Sequence, residues 1–157
     1  MGYYVKLSAS TATLPIDHLD EAMARLCELN THDEWKRGWS STGGTVTERY
    51  FSWMPADYDV KFTTVEEILT AVGYDVVETN IGGLNVYNYD NKTGCQDLFI
   101  WYISDLFEPN SYMEWVGEDG ARERWEFGGG EKMKVSYQQG WTMPTDFTPR
   151  IRVELAL

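Results

Sequence analysis

The chain has 157 residues, of which 43% are hydrophobic and 15% aromatic, a composition typical of one folded domain with its own core. Its 13 basic and 25 acidic side chains give a net charge of −12, which disfavours direct binding to nucleic acid or to an anionic membrane and favours a basic protein partner. We find neither a signal peptide nor an apolar run long enough to cross a bilayer, so we expect a soluble, cytoplasmic protein.

A strand and an amphipathic helix open the chain. Residues 3–8 alternate between two faces and predict the strand. The apolar stripe that follows predicts a helix that Asp17 caps and Asn30 ends. The polar segment 31–44 predicts a long loop with at most one short helical turn.

A second strand and a well-bounded short helix come next. Residues 45–53 predict the strand, and residues 57–59 predict a loop after it. Within residues 63–67, two threonines precede two glutamates and form a capping box in either of two registers. Gly73 supplies the stop, because glycine readily adopts the left-handed conformation that ends a helix.

The second half of the chain predicts more strands than helices. Residues 74–79 and 84–89 predict a hairpin across the turn 81–83. Residues 95–107 are apolar on every side of a helix, which predicts a central, buried one.

Three strands follow, and they turn at residues 117–120 and 128–130. One face of these strands carries large apolar side chains, among them Trp115 and Trp125, that we expect to cover the central helix. The other face carries charges of both signs and predicts a solvated surface: Glu114, Arg122, Arg124, Glu126, Lys132 and Lys134.

These elements predict one α+β domain over residues 1–137, with about three helices, a mostly antiparallel sheet and a C-terminal three-stranded meander. Residues 138–157 predict an extended tail. Within it, residues 151–155 have the pattern of one further strand, which could pair within the domain or join two copies into a homo-oligomer.

No pattern in the chain predicts catalysis or metal binding. His18 and His32 are the only histidines, and no further ligands are spaced to complete a metal site with them. Cys27 and Cys95 lack metal or redox spacing and predict buried thiols. The glycine pairs and triplet lead into strands, whereas a phosphate loop leads into a helix. We therefore expect no enzyme, no cofactor and no metal ion.

Two features favour binding to a partner. Acidic residues recur at helix starts and turns, where capping and turn chemistry also account for them. Aromatic residues occur in polar segments, where they either anchor a partner or cover the edges of the core. The residues that we predict to contact a partner are Trp35, Trp39, Asp57, Tyr58, Asp59, Glu118 and Asp119.

The segments 62–73, 97–107 and above all 111–127 resemble a loose group of small acidic proteins from bacteriophages, prophages and their bacterial hosts, especially actinobacteria. The shared pattern is a strand that ends near Gly-Glu-Asp-Gly and a next strand with Trp-Arg-hydrophobic-hydrophobic-Phe. Here Arg124 precedes the tryptophan, and Glu126 takes the place of the arginine that follows it in the group. The resemblance covers about residues 3–137 and leaves out the tail.

The resemblance implies no particular activity. It implies a genomic context in which small acidic proteins bind host proteins, including defence nucleases and nucleic-acid-binding factors. We therefore predict a non-enzymatic binding module that modulates or inhibits a host or defence protein by stoichiometric contact. Imitation of nucleic-acid charge is one mechanism open to it.

The main alternative is a protein that binds or sequesters a nucleotide signal. In that case the aromatic loops would stack on the base, and Lys36, Arg37 and Arg49 would meet the phosphates. The net charge counts against this alternative, since it repels an anionic ligand. An enzyme and a self-assembling protein are the remaining alternatives.

Overall fold

A seven-stranded antiparallel sheet forms the body of the protein. The computed structural model describes residues 2–137 apart from Gly129. Two further strands, β3 and β4, pair only with each other. In chain order the strands are β1 (Tyr4–Ser10), β2 (Thr13–Leu14), β3 (Gly38–Thr42), β4 (Thr45–Tyr50), β5 (Tyr74–Glu78), β6 (Leu84–Lys92), β7 (Tyr112–Gly117), β8 (Arg122–Gly128) and β9 (Glu131–Tyr137).

Four α-helices occur in this part of the chain, and three of them have seven residues or more. They are α1 (Leu19–Leu29), α2 (Tyr58–Lys61), α3 (Val65–Val72) and α4 (Gln96–Tyr102). Short 3-10 turns lie at Ile16–His18, Asp33–Trp35 and Ser104–Leu106. The arrangement confirms the predicted α+β class with a mostly antiparallel sheet.

Across the sheet the strands follow the order β5, β6, β1 with β2, β7, β8 and β9. Strands β1 and β2 continue each other along one side of β6, with Tyr4 opposite Lys92 and Thr13 opposite Asn85. Among the described residues, β5 and β9 each pair with one strand only, so they are the edge strands of the sheet.

The core lies between the sheet and the helices. Phe99 and Ile100 of α4 are fully buried, and the ring of Phe99 packs edge-on against Phe51 with the centroids 5.2 Å apart. On the sheet, the rings of Trp115 and Trp125 pack 4.7 Å apart. This apolar layer accounts for most of the favourable free energy of folding.

Local chemistry fixes α3 at both ends, as predicted. The hydroxyl of Thr64 accepts a hydrogen bond from the backbone N–H of Glu67 at 3.1 Å, while the Glu67 carboxylate accepts one from the N–H of Thr63 at 3.1 Å. These bonds select one of the two predicted registers, with Thr64 as the N-cap. Gly73 has a φ of 124°, and a Cβ atom there would lie 2.8 Å from the ring of Tyr89.

Three local predictions are wrong. Asp17 caps no helix, because it lies within a 3-10 turn and α1 begins only at Leu19. The predicted loop 31–44 has the one short helical turn that was allowed for, but it also contains the strand β3, whose serines and threonines give no apolar alternation. The predicted loop at residues 57–59 instead contains the start of α2.

The outer face of β7 and β8 carries paired charges. The guanidinium of Arg124 binds the carboxylates of Glu114 and Glu126 and lies 3.8 Å from the centre of the Tyr112 ring.

Lys132 does not lie on this face, although the alternation predicts it there. The pairing of β8 with β9 shifts by one residue between Glu126 and Gly128, and such a bulge turns a side chain away from its expected face.

No helix within the described residues combines the length and the apolar character that crossing a membrane requires. The predicted tail, residues 138–157, lies outside the described residues, and so does Trp141.

Candidate functional site

The turn between β7 and β8 and the start of β1 together form a surface that we call the tip: Tyr3, Tyr4, Glu118 and Asp119. Glu118 accepts a hydrogen bond from the backbone N–H of Tyr4 at 3.0 Å, and the hydroxyl of Tyr3 donates to Asp119 at 2.5 Å. Gly117 makes room for this contact, because a Cβ atom there would collide with the Tyr3 hydroxyl. The predicted acidic turn therefore has a fixed shape.

The tip is both charged and aromatic. The hydrogen bond from Tyr3 lowers the pKa of Asp119, and the backbone N–H of Ala121 adds to this effect. Burial raises the pKa of Tyr3 above its usual value, and the bond to Asp119 raises it further. The phenol thus keeps its proton while the carboxylate keeps its charge. The tyrosine side chains remain accessible, with Tyr3 37% and Tyr4 46% exposed.

Sequence reasoning found the acidic half of the tip and missed the aromatic half. Tyr3 and Asp119 are 116 positions apart, and only the pairing of β1 with β7 brings them together. The sequence does contain a sign that one of these tyrosines is exposed. Side chains alternate along a strand, so two adjacent tyrosines cannot both face the core.

The second predicted acidic pair lies on other elements. Asp57 is exposed just before α2, and its side chain makes no capping hydrogen bond. Asp59 is half-buried and accepts a hydrogen bond from the side-chain amide of Asn30 at 2.8 Å. The four predicted acidic residues therefore form two pairs with different neighbours.

Two of the predicted aromatic anchors, Trp35 and Tyr58, are core residues. Tyr58 is fully buried, and its hydroxyl donates to the carbonyl oxygen of Leu26 at 2.7 Å. Trp35 is 7% exposed and stacks on His32 with the ring centroids 3.9 Å apart. Both rings lie in polar stretches of sequence, yet they cover the core and cannot serve as exposed anchors. Trp39 differs from them, since 58% of it is exposed.

Trp39 belongs to the two-stranded ribbon formed by β3 and β4. It lies opposite Arg49, and Ser41 lies opposite Val46, so all four side chains share one face of the ribbon. Val46 is 44% exposed, and almost every residue of both strands is accessible to solvent. The ribbon therefore presents an apolar face with an arginine beside it.

A cleft of about 380 Å³ lies between α1, the end of α4 and the edge strand β9. Beside it, Asp105 receives hydrogen bonds from Arg25 at 2.5 Å and from Lys132 at 3.0 Å. The Lys132 ammonium also lies 4.7 Å from the centre of the Trp101 ring. The residues that line the cleft are Arg25, Glu28, Trp35, Trp101, Tyr102 and Lys132.

The charges beside the cleft are mutually stabilised. Burial works to raise the pKa of Asp105, but the hydrogen bonds from Arg25 and Lys132 outweigh it and hold the pKa below its usual value. Burial lowers the pKa of Lys132, and the bond to Asp105 partly restores it. Since Asp105 already binds both cations, an added ligand would depend mainly on the aromatic walls.

The described residues contain no group of three or more histidine, cysteine, aspartate or glutamate side chains that could hold a metal ion. Burial raises the pKa of the Cys95 and Cys27 thiols, and Asp97 and Asp59 respectively add to the effect. Both thiols are therefore protonated near neutral pH, which makes them poor nucleophiles.

No family model, no curated protein and no solved structure matches the chain.

Proposed function

We propose that the protein is a non-enzymatic binding module that acts by stoichiometric contact with a basic protein, and that the tip is its contact surface. The observation that carries this proposal is the placement of two exposed carboxylates, Glu118 and Asp119, at one end of the sheet, with the accessible side chain of Tyr3 bonded to Asp119 and the exposed Tyr4 next to it in the chain. Carboxylates steer a basic partner and select it, while aromatic rings supply contact area once it has docked.

The charge of the whole chain supports the same mechanism. Residues 138–157 contain two acidic and two basic side chains, so the net charge of −12 belongs entirely to residues 1–137. A surface potential of this sign accelerates encounter with a basic protein and weakens as salt is added. On the resemblance described above, the partner is a host or defence protein, and the carboxylates imitate the phosphates of its nucleic acid.

Neutralising the tip is expected to weaken partner binding by about tenfold or more at low salt, because the carboxylates steer the encounter with a basic partner. The variant Glu118→Gln with Asp119→Asn removes both charges and keeps the side-chain shapes. The measurement is affinity capture from host lysate with wild-type and variant bait, at low and at high salt. The Kd of each captured protein is then determined with purified components.

The pair Asp57→Asn with Asp59→Asn is the matched control, since it removes the same charge from a different surface. We expect this control to keep the captured proteins and the tip variant to lose them. Equal capture by wild type and tip variant at low salt would remove the support for the tip as the contact surface.

A second candidate function, binding of a small ligand, is favoured by the cleft. Its volume and its aromatic walls suit a planar ligand such as a nucleobase. The phosphate contacts predicted from sequence need revision, because Lys36 is buried and its ammonium binds Asp33 at 2.7 Å and the Asn30 carbonyl oxygen at 2.7 Å.

If the cleft binds a nucleotide, the nucleotide at one hundred times its Kd should raise the free energy of unfolding by about 2.7 kcal/mol. A thermal-shift screen with common nucleotides measures this effect directly. The variant Trp101→Ala, which removes a wall of the cleft, should abolish the shift. A screen without any shift would eliminate this function for the nucleotides tested.

A further inference from the structure

The cleft between α1, the end of α4 and β9 carries hydrogen-bonding groups as well as aromatic walls. Arg25 and Lys132 donate to the same carboxylate oxygen of Asp105, at 2.5 Å and 3.0 Å, so the two cations are held close together. The side chain of Arg25 is 28% exposed and that of Lys132 37%. Both cations therefore remain accessible to a ligand in the cleft.

Both cations also keep hydrogen-bond donors for a ligand. The Lys132 ammonium has three N–H groups, and within the described residues it donates to Asp105 and to the carbonyl oxygen of Tyr102 at 2.8 Å. The Arg25 guanidinium has five, and within the described residues it binds the carboxylates of Asp105 and Glu21. One side of the cleft can therefore donate to a ligand that carries two neighbouring acceptors.

A hydrogen-bond acceptor lines the cleft as well. Glu28 is exposed, and one of its carboxylate oxygens accepts a hydrogen bond from the hydroxyl of Tyr102. The other oxygen accepts no hydrogen bond from the described residues, so it can accept one from a ligand. The cleft thus combines two cationic donors with one carboxylate acceptor.

The aromatic walls can hold a planar ring beside these groups. The Lys132 ammonium lies over the face of the Trp101 indole, 4.7 Å from the ring centre. A planar ring stacked on the adjoining part of the same face would present its edge to the ammonium. The stacking supplies contact area, and the polar groups decide which ring edge is accepted.

The charges at the cleft balance one another. Arg25 and Lys132 are two positive charges, and Glu28 and Asp105 are two negative ones. A phosphate group therefore meets no net positive charge here, and the net charge of −12 on the whole chain repels it. We expect the part of a nucleotide that the cleft recognises to be the base.

Guanine matches these groups better than adenine does. Guanine has two neighbouring acceptors, O6 and N7, which arginine and lysine side chains bind in nucleic acids. Its N1–H and N2 amino groups are donors that a carboxylate such as Glu28 can accept. Adenine has an amino group in place of O6 and no proton on N1, so it would bring a donor to the cations and leave the carboxylate without one.

We propose that the cleft binds the guanine base of a nucleoside or nucleotide, which rests on the small-ligand function proposed for the cleft above. The base stacks on Trp101, and Arg25 and Lys132 donate to O6 and N7. Glu28 accepts from the N1–H and the N2 amino group. The tip takes no part in this contact, so binding of a basic protein and recognition of guanine can be tested separately.

Isothermal titration of the full chain with guanosine, adenosine and 7-deazaguanosine tests the preference for guanine. Nucleosides carry no phosphate, so a difference between them reports on the base alone. We expect guanosine to bind about tenfold or more tightly than adenosine, because one well-placed pair of hydrogen bonds discriminates between bases by about that factor. 7-Deazaguanosine, which lacks the N7 acceptor, should bind more weakly than guanosine.

Two variants test the carboxylate and the cations in turn. Glu28→Gln removes the charge of the acceptor, and Lys132→Met removes the ammonium and keeps an unbranched side chain. Each should weaken binding of guanosine and leave binding of adenosine nearly unchanged. Glu78→Gln is the matched control and should keep both affinities, because it removes an exposed carboxylate from β5, at the other edge of the sheet. The melting temperature of each variant without ligand shows whether it is folded.

Equal affinity for guanosine and adenosine would overturn the proposal and leave a cleft that binds planar rings without choosing between them. Guanosine binding that Glu28→Gln does not weaken would overturn it as well. If none of the three nucleosides binds, both the recognition of guanine and the small-ligand function of the cleft are lost.

Discussion

Replacing Phe99 by alanine is expected to lower the free energy of unfolding by about 3–5 kcal/mol. The ring is fully buried on α4 and contacts Phe51 and Tyr58, with centroid distances of 5.2 Å and 5.5 Å. Sheet and helices enclose the site, so the surroundings cannot collapse fully into the cavity. Urea denaturation measures the change as a shift of the midpoint at unchanged slope.

Val60→Ala is the control for this variant, because the valine is 76% exposed and its loss should change stability by less than about 0.5 kcal/mol. A Phe99→Ala variant as stable as the control would contradict the placement of α4 at the centre of the core.

Asp105→Asn is expected to cost about 1–3 kcal/mol, the second largest effect. The carboxylate binds both Arg25 and Lys132, and its side chain is only 17% exposed. Without the negative charge, the two neighbouring cations lose the carboxylate that they share and repel each other. The cost stays below that of a fully buried pair because water reaches both cations, whose side chains are 28% and 37% exposed.

This contribution of Asp105 to stability depends on pH. Its pKa is lower in the folded than in the unfolded state, so it stabilises the fold above the unfolded pKa of about 3.9. The stabilisation disappears as the pH falls through the folded pKa. We expect the difference in unfolding free energy between wild type and Asp105→Asn to be constant near neutral pH and to close below about pH 4. A pH-independent difference for Asp105→Asn would contradict this role of the carboxylate.

The elements that could be predicted from the sequence are those whose ends are set by residues close together in the chain. The end of α3 at Gly73 and its start within one residue follow from the sequence, because the capping threonines and the glycine act through hydrogen bonds and backbone conformation within a few positions. Of the ribbon, β4 lies within the strand predicted at residues 45–53, but β3 could not be predicted, because both of its faces are polar or exposed and no hydrophobic period marks it. The position of Lys132 depends on a bulge, which the alternation of residues does not reveal.

The same distinction applies to the tip. Glu118 and Asp119 followed from turn chemistry, whereas the tyrosines beside them depend on strand pairing across more than a hundred residues. Trp35 and Tyr58 were placed at the surface because the segments around them are polar. A short segment can nevertheless insert one aromatic ring into the core while its neighbouring residues stay in water. The average polarity of the segment does not show which of its residues is buried.

The tryptophans differ in exposure, so the intrinsic fluorescence of the protein can report on different parts of the fold. Trp39 and Trp53 are about half exposed, at 58% and 46%, whereas Trp115 and Trp125 are almost completely enclosed, at 2% and 1%. A neutral quencher such as acrylamide should therefore reach the ribbon and its base while the indoles of the sheet keep their emission. Covering the ribbon would protect the first population, and unfolding would expose the second, so the two events give separable fluorescence signals.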